Sequence, residues 1–193
     1  MDIFIDLMNE VVLQQVLIHP DNEKPRKYFL KTFLNINDEI INKKEEILYK
    51  GILNHIDIDK HGFTSDIIIR YEDYAARINI YNARNDDFII HILYGSVSEE
   101  SGKLLELRFI KNPDHKGKVI EDNYLKNTTD PNDKTFADLL KIKNIDLNRI
   151  QKLDNSTATN RWLKFITAQN NEERYKACAN DEVLLEFYNW LKE

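Results

Sequence analysis

The sequence predicts an α/β fold in which a small mixed sheet of four or five strands is flanked by N-terminal helices and closed by C-terminal helices. Two observations favour this class. Apolar residues recur at helical spacing near both ends of the chain, and the middle contains strand-like runs rich in β-branched residues. A length of 193 residues suits one domain with a sizeable core. We therefore divide a single domain, 1–193, into helices over 1–60, a sheet core over 61–150 and helices over 151–193.

The N-terminal part is predicted to hold two amphipathic helices. Residues 2–18 place apolar side chains on one broad face, and Pro20 ends this helix. Asp21 is positioned to cap a second helix, with Pro25 in its first turn. A charged segment, 37–46, and a lead-in over 47–58 then connect these helices to the sheet.

Residues 63–83 are predicted to form a β-hairpin, around which the rest of the chain is organised. The run of three isoleucines at 67–69 is typical of a strand covered on both faces. Glu72 and Asp73 mark the turn. In the second strand Ile78 and Ile80 alternate with Asn79 and Tyr81, which predicts one apolar and one polar face.

Three further strands and a helical tail complete the expected core. Strands are predicted over 88–94, 104–111 and 139–145, whereas 112–135 has the least ordered composition. Trp162, Phe165, Ile166 and Tyr175 are expected on one apolar side of a helix or helix pair that starts after 159. Asp181 is predicted to cap the last helix.

Composition and motifs exclude several functional classes. The net charge of −6 and the pI near 5.5 provide no overall basic surface for nucleic acid, although a local basic groove is compatible with an acidic protein. Cys178, the one cysteine, rules out an internal disulfide and is expected inside a helix. No zinc-like spacing, P-loop or GxSxG motif occurs, and His91 is expected to pack within its strand. Acidic residues interrupt the apolar N-terminus, so we expect a cytoplasmic protein without a membrane span.

Several segments resemble the PD-(D/E)XK nuclease family transposases, also called recombination-promoting nucleases. The segments that carry this resemblance are 10–17 (EVVLQQVL), 20–24 (PDNEK), 28–35 (YFLKTFLN), the hairpin 66–83, 145–150 (IDLNRI) and 162–165 (WLKF). The resemblance implies a restriction-endonuclease-like fold and a Mg²⁺-dependent cleavage of DNA. In that family the hairpin is catalytic, and a long helix follows it.

Residue by residue, the resemblance is incomplete at the catalytic positions. It implies that Asp66 and Glu10, the acid of the first helix, bind the metal ion. Tyr81 stands where a catalytic Glu is expected, and Ala83 where a Gln or Lys is expected. A phenol is protonated below about pH 10, so Tyr81 is a poor ligand for a hard cation. The short interval between Ala83 and the next strand also leaves little room for the family's helix.

A displaced site is the alternative source of catalytic groups. Asp87 opens a strand, and Glu106 and Arg108 lie on the next strand, which gives a D…E-x-R pattern. Here Asp66 or Asp87 would bind Mg²⁺ together with Glu106, and Arg108 would hold a phosphate, since Arg is a poor proton shuttle.

Three functions remain open from the sequence. The first is a divergent nuclease-family protein with an impaired catalytic centre, acting as a DNA- or protein-binding remnant or regulator. The second is an active Mg²⁺-dependent DNA endonuclease with the displaced site, and the third is an interaction or immunity-type protein that does not bind nucleic acid.

Overall fold

The predicted hairpin is present in the computed structural model, which describes residues 3–50, 66–83, 87–97, 102–111, 118–124 and 139–193. It consists of β2 (Asp66–Tyr71) and β3 (Tyr74–Asn82), joined by the predicted turn at Glu72 and Asp73. The two strands pair antiparallel, with Ile67 opposite Ile78. Glu72 has a φ of 42°, the left-handed conformation that a two-residue hairpin turn requires.

The hairpin belongs to a seven-stranded mixed sheet within the described residues. The other strands are β1 (Glu45–Lys50), β4 (Phe88–Ser96), β5 (Lys103–Ile110), β6 (Ile120–Tyr124) and β7 (Leu140–Asp146). Their order is β1-β2-β3-β4-β5-β7-β6, in which β5 and β7 are parallel and every other neighbouring pair is antiparallel. The mixed α/β class is therefore confirmed.

The expectation of four or five strands is wrong because both edge strands were missed. β1 includes part of the charged 37–46 segment, and β6 lies inside 112–135, the segment with the least ordered composition. Natural edge strands are often short and charged, which removes the alternation by which central strands are identified. The remainder of 112–135, apart from 118 and 119, lies outside the described residues.

Alternation in the central strands separates an apolar face from a polar face. Ile78, Ile80, Ile90 and Leu107 are fully buried on one face. Their neighbours Asn79 and Tyr81 point to the opposite face and are half-buried, as the sequence predicts. In β2, Ile67 and Ile69 are buried but Ile68 is half-buried, so this strand is less completely covered than its composition suggests.

Contacts divide the chain into two compact units. The sheet unit spans Asn42–Asp146, and the helical unit combines Met1–Ile41 with Leu147–Glu193. The helices of the helical unit are α1 (Glu10–Ile18), α2 (Glu23–Leu34), α3 (Asp38–Ile41), α4 (Ala158–Thr167), α5 (Asn171–Cys178) and α6 (Glu182–Trp190). None of the described helices is long and apolar enough to cross a membrane.

The first two helices begin at positions that differ from the prediction, and their capping contacts show why. The helix expected over 2–18 begins at Glu10, because the Asn9 side chain accepts hydrogen bonds from the first-turn N–H groups of Val11 and Val12. Asp21 does not cap α2. It lies instead in the 3₁₀ turn Pro20–Asn22, which precedes a helix without a side-chain cap.

The C-terminal helices form an aromatic core. Trp162 and Phe165 of α4 are buried, and the Trp162 ring centroid lies 5.4 Å from that of Phe29. Asp181 caps α6 through the N–H of Leu184, which confirms that prediction. Cys178 is buried in α5 as expected, whereas Tyr175, expected in the core, is 49% exposed.

Candidate functional site

A cluster of four polar side chains lies on the polar face of β3, β4 and β5. We call Tyr81, His91, Glu106 and Arg108 the sheet-face cluster. Strand register brings it together, because His91 pairs with Glu106 across β4 and β5, while Tyr81 and Arg108 both pair with Ile89. Side chains on directly opposed residues of neighbouring strands share a face, so these groups converge although 27 positions separate the first from the last.

Within the cluster, Glu106 is held by two basic groups. Its Oε2 lies 2.5 Å from His91 Nε2, and its Oε1 lies 2.5 Å from Arg108 Nη2. The Tyr81 hydroxyl is 3.2 Å from His91 Nε2 and 3.5 Å from Nδ1, with the two rings edge to face at 5.2 Å. The result is a connected network from phenol through imidazole to carboxylate and guanidinium.

The protonation states follow from these contacts. The hydrogen bond from His91 lowers the pKa of Glu106, burial opposes this, and the charge of Arg108 lowers the pKa further. Glu106 is therefore an ionised acceptor, so the hydrogen between it and His91 resides on Nε2. Burial, followed by the charge of Glu106, raises the pKa of Tyr81, which keeps the phenol protonated. In the neutral imidazole, Nδ1 is then the acceptor nitrogen.

Within the cluster, the acidic side chain is the least exposed and the two basic side chains are more exposed. The Glu106 side chain is 10% exposed, that of His91 30% and that of Arg108 41%. Solvent, or a ligand, thus reaches the basic groups while the acid remains beneath them. Buried side-chain atoms without a hydrogen-bond partner among the described residues include Glu106 Oε1, whose contact with Arg108 is an ion pair, Arg108 Nε, and Oδ1 of Asn144, the residue paired with Arg108 in β7.

Of the site residues predicted from the sequence, Glu106 and Arg108 belong to the sheet-face cluster. Glu106 and Arg108 lie two positions apart on one strand and form an ion pair. Asp66 is in the same lateral row, opposite Asn79, which pairs with His91 and so with Glu106. Three strand spacings place the backbones of Asp66 and Glu106 about 14 Å apart. Ligands of one ion each lie at about 2.0–2.6 Å from it, so this separation does not suit direct sharing.

Asp87 and Glu10, the other proposed metal ligands, are not members of the cluster. Asp87 precedes β4, where its carbonyl accepts a hydrogen bond from the N–H of Ala83. Asp87 is two residues from Ile89, which pairs with Tyr81 and Arg108, and four residues, or about 13 Å along an antiparallel strand, from the row of His91 and Glu106. Glu10 is in the first turn of α1, in the helical unit.

The donor set of the cluster does not fit Mg²⁺. Both Glu106 oxygens contact cationic or proton-donating groups, and the neighbouring phenol of Tyr81 is neutral. Hard cations favour several ionised or carbonyl oxygens, as Mg²⁺ sites show. No group of three or more His, Cys, Asp or Glu suited to a metal ion occurs in the part of the chain that the structure describes.

Sequence reasoning missed the role of His91. Its apolar neighbours in β4 indicated a packed histidine, but its ring lies on the polar face and is partly exposed. A signal was present, because His91 interrupts an otherwise apolar run at a position opposite the polar residues Asn79 and Glu106. Recognising it required the strand register.

In comparisons with known proteins, no family model, curated protein or solved structure matches this chain. The fold and the site define a mixed α/β protein with a histidine-centred polar cluster on its sheet, in which the His91 side chain is partly exposed.

Proposed function

We propose that this chain is a divergent protein of the PD-(D/E)XK nuclease type that binds nucleic acid through the sheet-face cluster and does not cleave DNA by the metal-dependent route. The observation that carries this proposal is the environment of Tyr81. A neutral phenol occupies the position where the resemblance requires a carboxylate, and its hydroxyl lies 3.2 Å from His91 Nε2.

The nearest carboxylate does not restore the missing ligand. Glu106 is largely buried and paired with both His91 and Arg108. Releasing it for a metal ion would leave these groups without their acidic partner, which is unfavourable in a partly desolvated site. Ala83, at the position of the expected Gln or Lys, has no side-chain group that could orient a water molecule.

The same arrangement favours a phosphate as ligand. Arg108 and His91 are the more exposed members of the cluster, and a guanidinium matches the geometry of phosphate oxygens. Tyr81 adds a half-buried aromatic ring, the type of surface on which bases stack. Because the chain has a net charge of −6, we expect the cluster to neutralise few phosphates. The expected mode is weak binding of single-stranded nucleic acid in the cytoplasm.

Binding is tested with a labelled single-stranded DNA oligonucleotide by fluorescence anisotropy over a range of salt concentrations. One or two neutralised phosphates give a slope of log K against log salt of about −0.7 to −1.4. Arg108→Gln should weaken binding, while Arg70→Gln, an exposed arginine on β2, serves as the matched control. Equal binding by the two variants would contradict the proposed surface.

Metal-dependent cleavage is tested on a supercoiled plasmid with Mg²⁺ or Mn²⁺. The wild type, Asp66→Ala and Glu106→Ala are compared, and we expect no nicking by any of the three. Metal-dependent nicking that either substitution abolishes would instead support the active endonuclease with a displaced site. Absence of both nicking and oligonucleotide binding in folded protein would favour the interaction or immunity-type function.

A further inference from the structure

We propose that the sheet-face cluster also cleaves RNA, without a metal ion, by transferring the phosphodiester to the neighbouring ribose 2′-hydroxyl. This inference rests on the proposed binding of nucleic acid at this face and goes beyond it, because it assigns chemistry to His91, Tyr81 and Arg108.

His91 has the contacts of a general base. Glu106 accepts the Nε2 hydrogen at 2.5 Å, which fixes the tautomer and leaves the Nδ1 lone pair for a substrate proton. The buried carboxylate also stabilises the imidazolium that forms. Glu106 is thus a positioning residue, while the 30% exposed ring of His91 is accessible to a ligand.

Arg108 and Tyr81 supply the remaining groups of such a reaction. The guanidinium of Arg108 stabilises negative charge that develops on the phosphoryl oxygens. The protonated phenol of Tyr81 is a general acid for the departing 5′-oxygen. Its hydroxyl lies 3.2 Å from His91 Nε2 and 3.5 Å from Nδ1, so the acid and the base are adjacent, and each returns to its starting state by proton exchange with water.

The step balances without another reactant. Nδ1 of His91 removes the 2′-hydroxyl proton, the 2′-oxygen–phosphorus bond forms, and the bond between phosphorus and the 5′-oxygen breaks. Tyr81 protonates the leaving oxygen, after which the imidazolium gives its proton to water and the phenolate takes one from water. The products are a 2′,3′-cyclic phosphate end and a 5′-hydroxyl end.

The chemistry selects RNA over DNA. The cluster contains a base, an acid and a phosphate-binding cation, but its paired carboxylate does not suit the generation of a metal-bound hydroxide. The nucleophile must then come from the substrate, held next to the phosphorus by its own covalent structure. Ribose offers this hydroxyl and deoxyribose does not.

The test uses the full chain, EDTA and a 5′-labelled single-stranded RNA, with DNA of the same sequence and a fully 2′-O-methylated strand as substrate controls. We expect cleavage of the RNA alone, with 2′,3′-cyclic phosphate ends identified by mass spectrometry. His91→Gln should lower the rate by about 10²–10⁴-fold, the typical loss for a general base. Tyr81→Phe removes only the hydroxyl and should lower the rate by about 10²-fold or more.

Matched controls separate the cluster from contaminating ribonuclease. His19→Gln and Tyr124→Phe alter exposed residues outside the cluster and should retain the wild-type rate. Glu106→Gln should be inactive and Glu106→Asp partly active, a difference that reports the carboxylate's positioning role. Rates are compared only for variants whose circular dichroism spectra match that of the wild type, which shows that they are folded.

Two results would overturn the inference: intact RNA after incubation with folded wild type, or cleavage that persists unchanged in Tyr81→Phe. If the 2′-O-methylated strand still binds in either case, nucleic-acid binding stands and only the cleavage proposal fails. If neither that strand nor the single-stranded DNA oligonucleotide binds, the proposed function fails as well.

Discussion

Replacement of Asp181 by Ala is expected to destabilise the helical unit strongly. The carboxylate accepts hydrogen bonds from the Tyr28 hydroxyl at 2.7 Å and from Arg161 Nε at 2.8 Å, both to Oδ2. Its Oδ1 caps α6 through the N–H of Leu184 at 3.1 Å. One 8% exposed side chain therefore connects α2, α4 and the start of α6.

The magnitude follows from the two roles of this carboxylate. Loss of an N-cap costs about 1 kcal/mol. Breaking a buried ion pair by removing one partner costs about 3–5 kcal/mol, because Arg161 remains without its acid. These contributions overlap, and we expect a loss of about 4 kcal/mol in the free energy of unfolding for Asp181→Ala. Asp181→Asn keeps a capping oxygen and should lose about 2 kcal/mol, in the range for a charged hydrogen bond.

Urea unfolding followed by tryptophan emission measures this effect, since both tryptophans, Trp162 and Trp190, lie in the helical unit. Asp21→Ala is the matched control, because that acid is exposed and does not cap α2, and its effect should lie within about 0.5 kcal/mol. A loss below about 1 kcal/mol for Asp181→Ala would refute the reasoning.

The same site predicts the direction of the pH dependence. Burial raises the pKa of Asp181, but the hydrogen bonds from Tyr28, Leu184 and Arg161 together lower it by more. The folded-state pKa therefore lies below its ordinary value. Such a group stabilises the fold above its unfolded pKa, and that contribution disappears as the pH falls through the folded pKa. The stability difference between the wild type and Asp181→Asn should therefore shrink in acid, and an increase would contradict the assignment.

Three smaller predictions concern the core, a helix end and the thiol. Ile78→Ala, at a fully buried sheet position, should cost about 2–5 kcal/mol by urea unfolding, whereas Leu93→Ala, 44% exposed, should cost much less; equal losses would contradict the assignment of faces. Asn35 ends α2 at a φ of 53°, so Asn35→Ala should destabilise the protein by about 1 kcal/mol and Asn35→Gly should not. Burial raises the pKa of the Cys178 thiol to about 11, so a disulfide reagent should label it only after unfolding, and rapid labelling of native protein would count against its burial.

Periodic signals explain which elements could be predicted. The hairpin was predicted correctly because Ile78 and Ile80 alternate with polar residues, a pattern that depends only on the geometry of one strand. Asp181 was identified as a cap because capping is local. The missed strands β1 and β6 lie at sheet edges, where pairing with a neighbour stabilises a segment whose own pattern is weak.

The features of the candidate site can be separated in the same way, into those that a single strand predicts and those that depend on the pairing of strands. The sequence by itself determined that Glu106 and Arg108 share a strand face, since side chains two positions apart in a strand point the same way. It also predicts, through the family resemblance alone, that Tyr81 occupies a position where a carboxylate is expected. Only the tertiary structure decided that His91 joins Glu106 at 2.5 Å and that Asp66 lies three strand spacings from Glu106 in the same row. Register between strands depends on side-chain burial across the whole sheet, and no single segment contains that information.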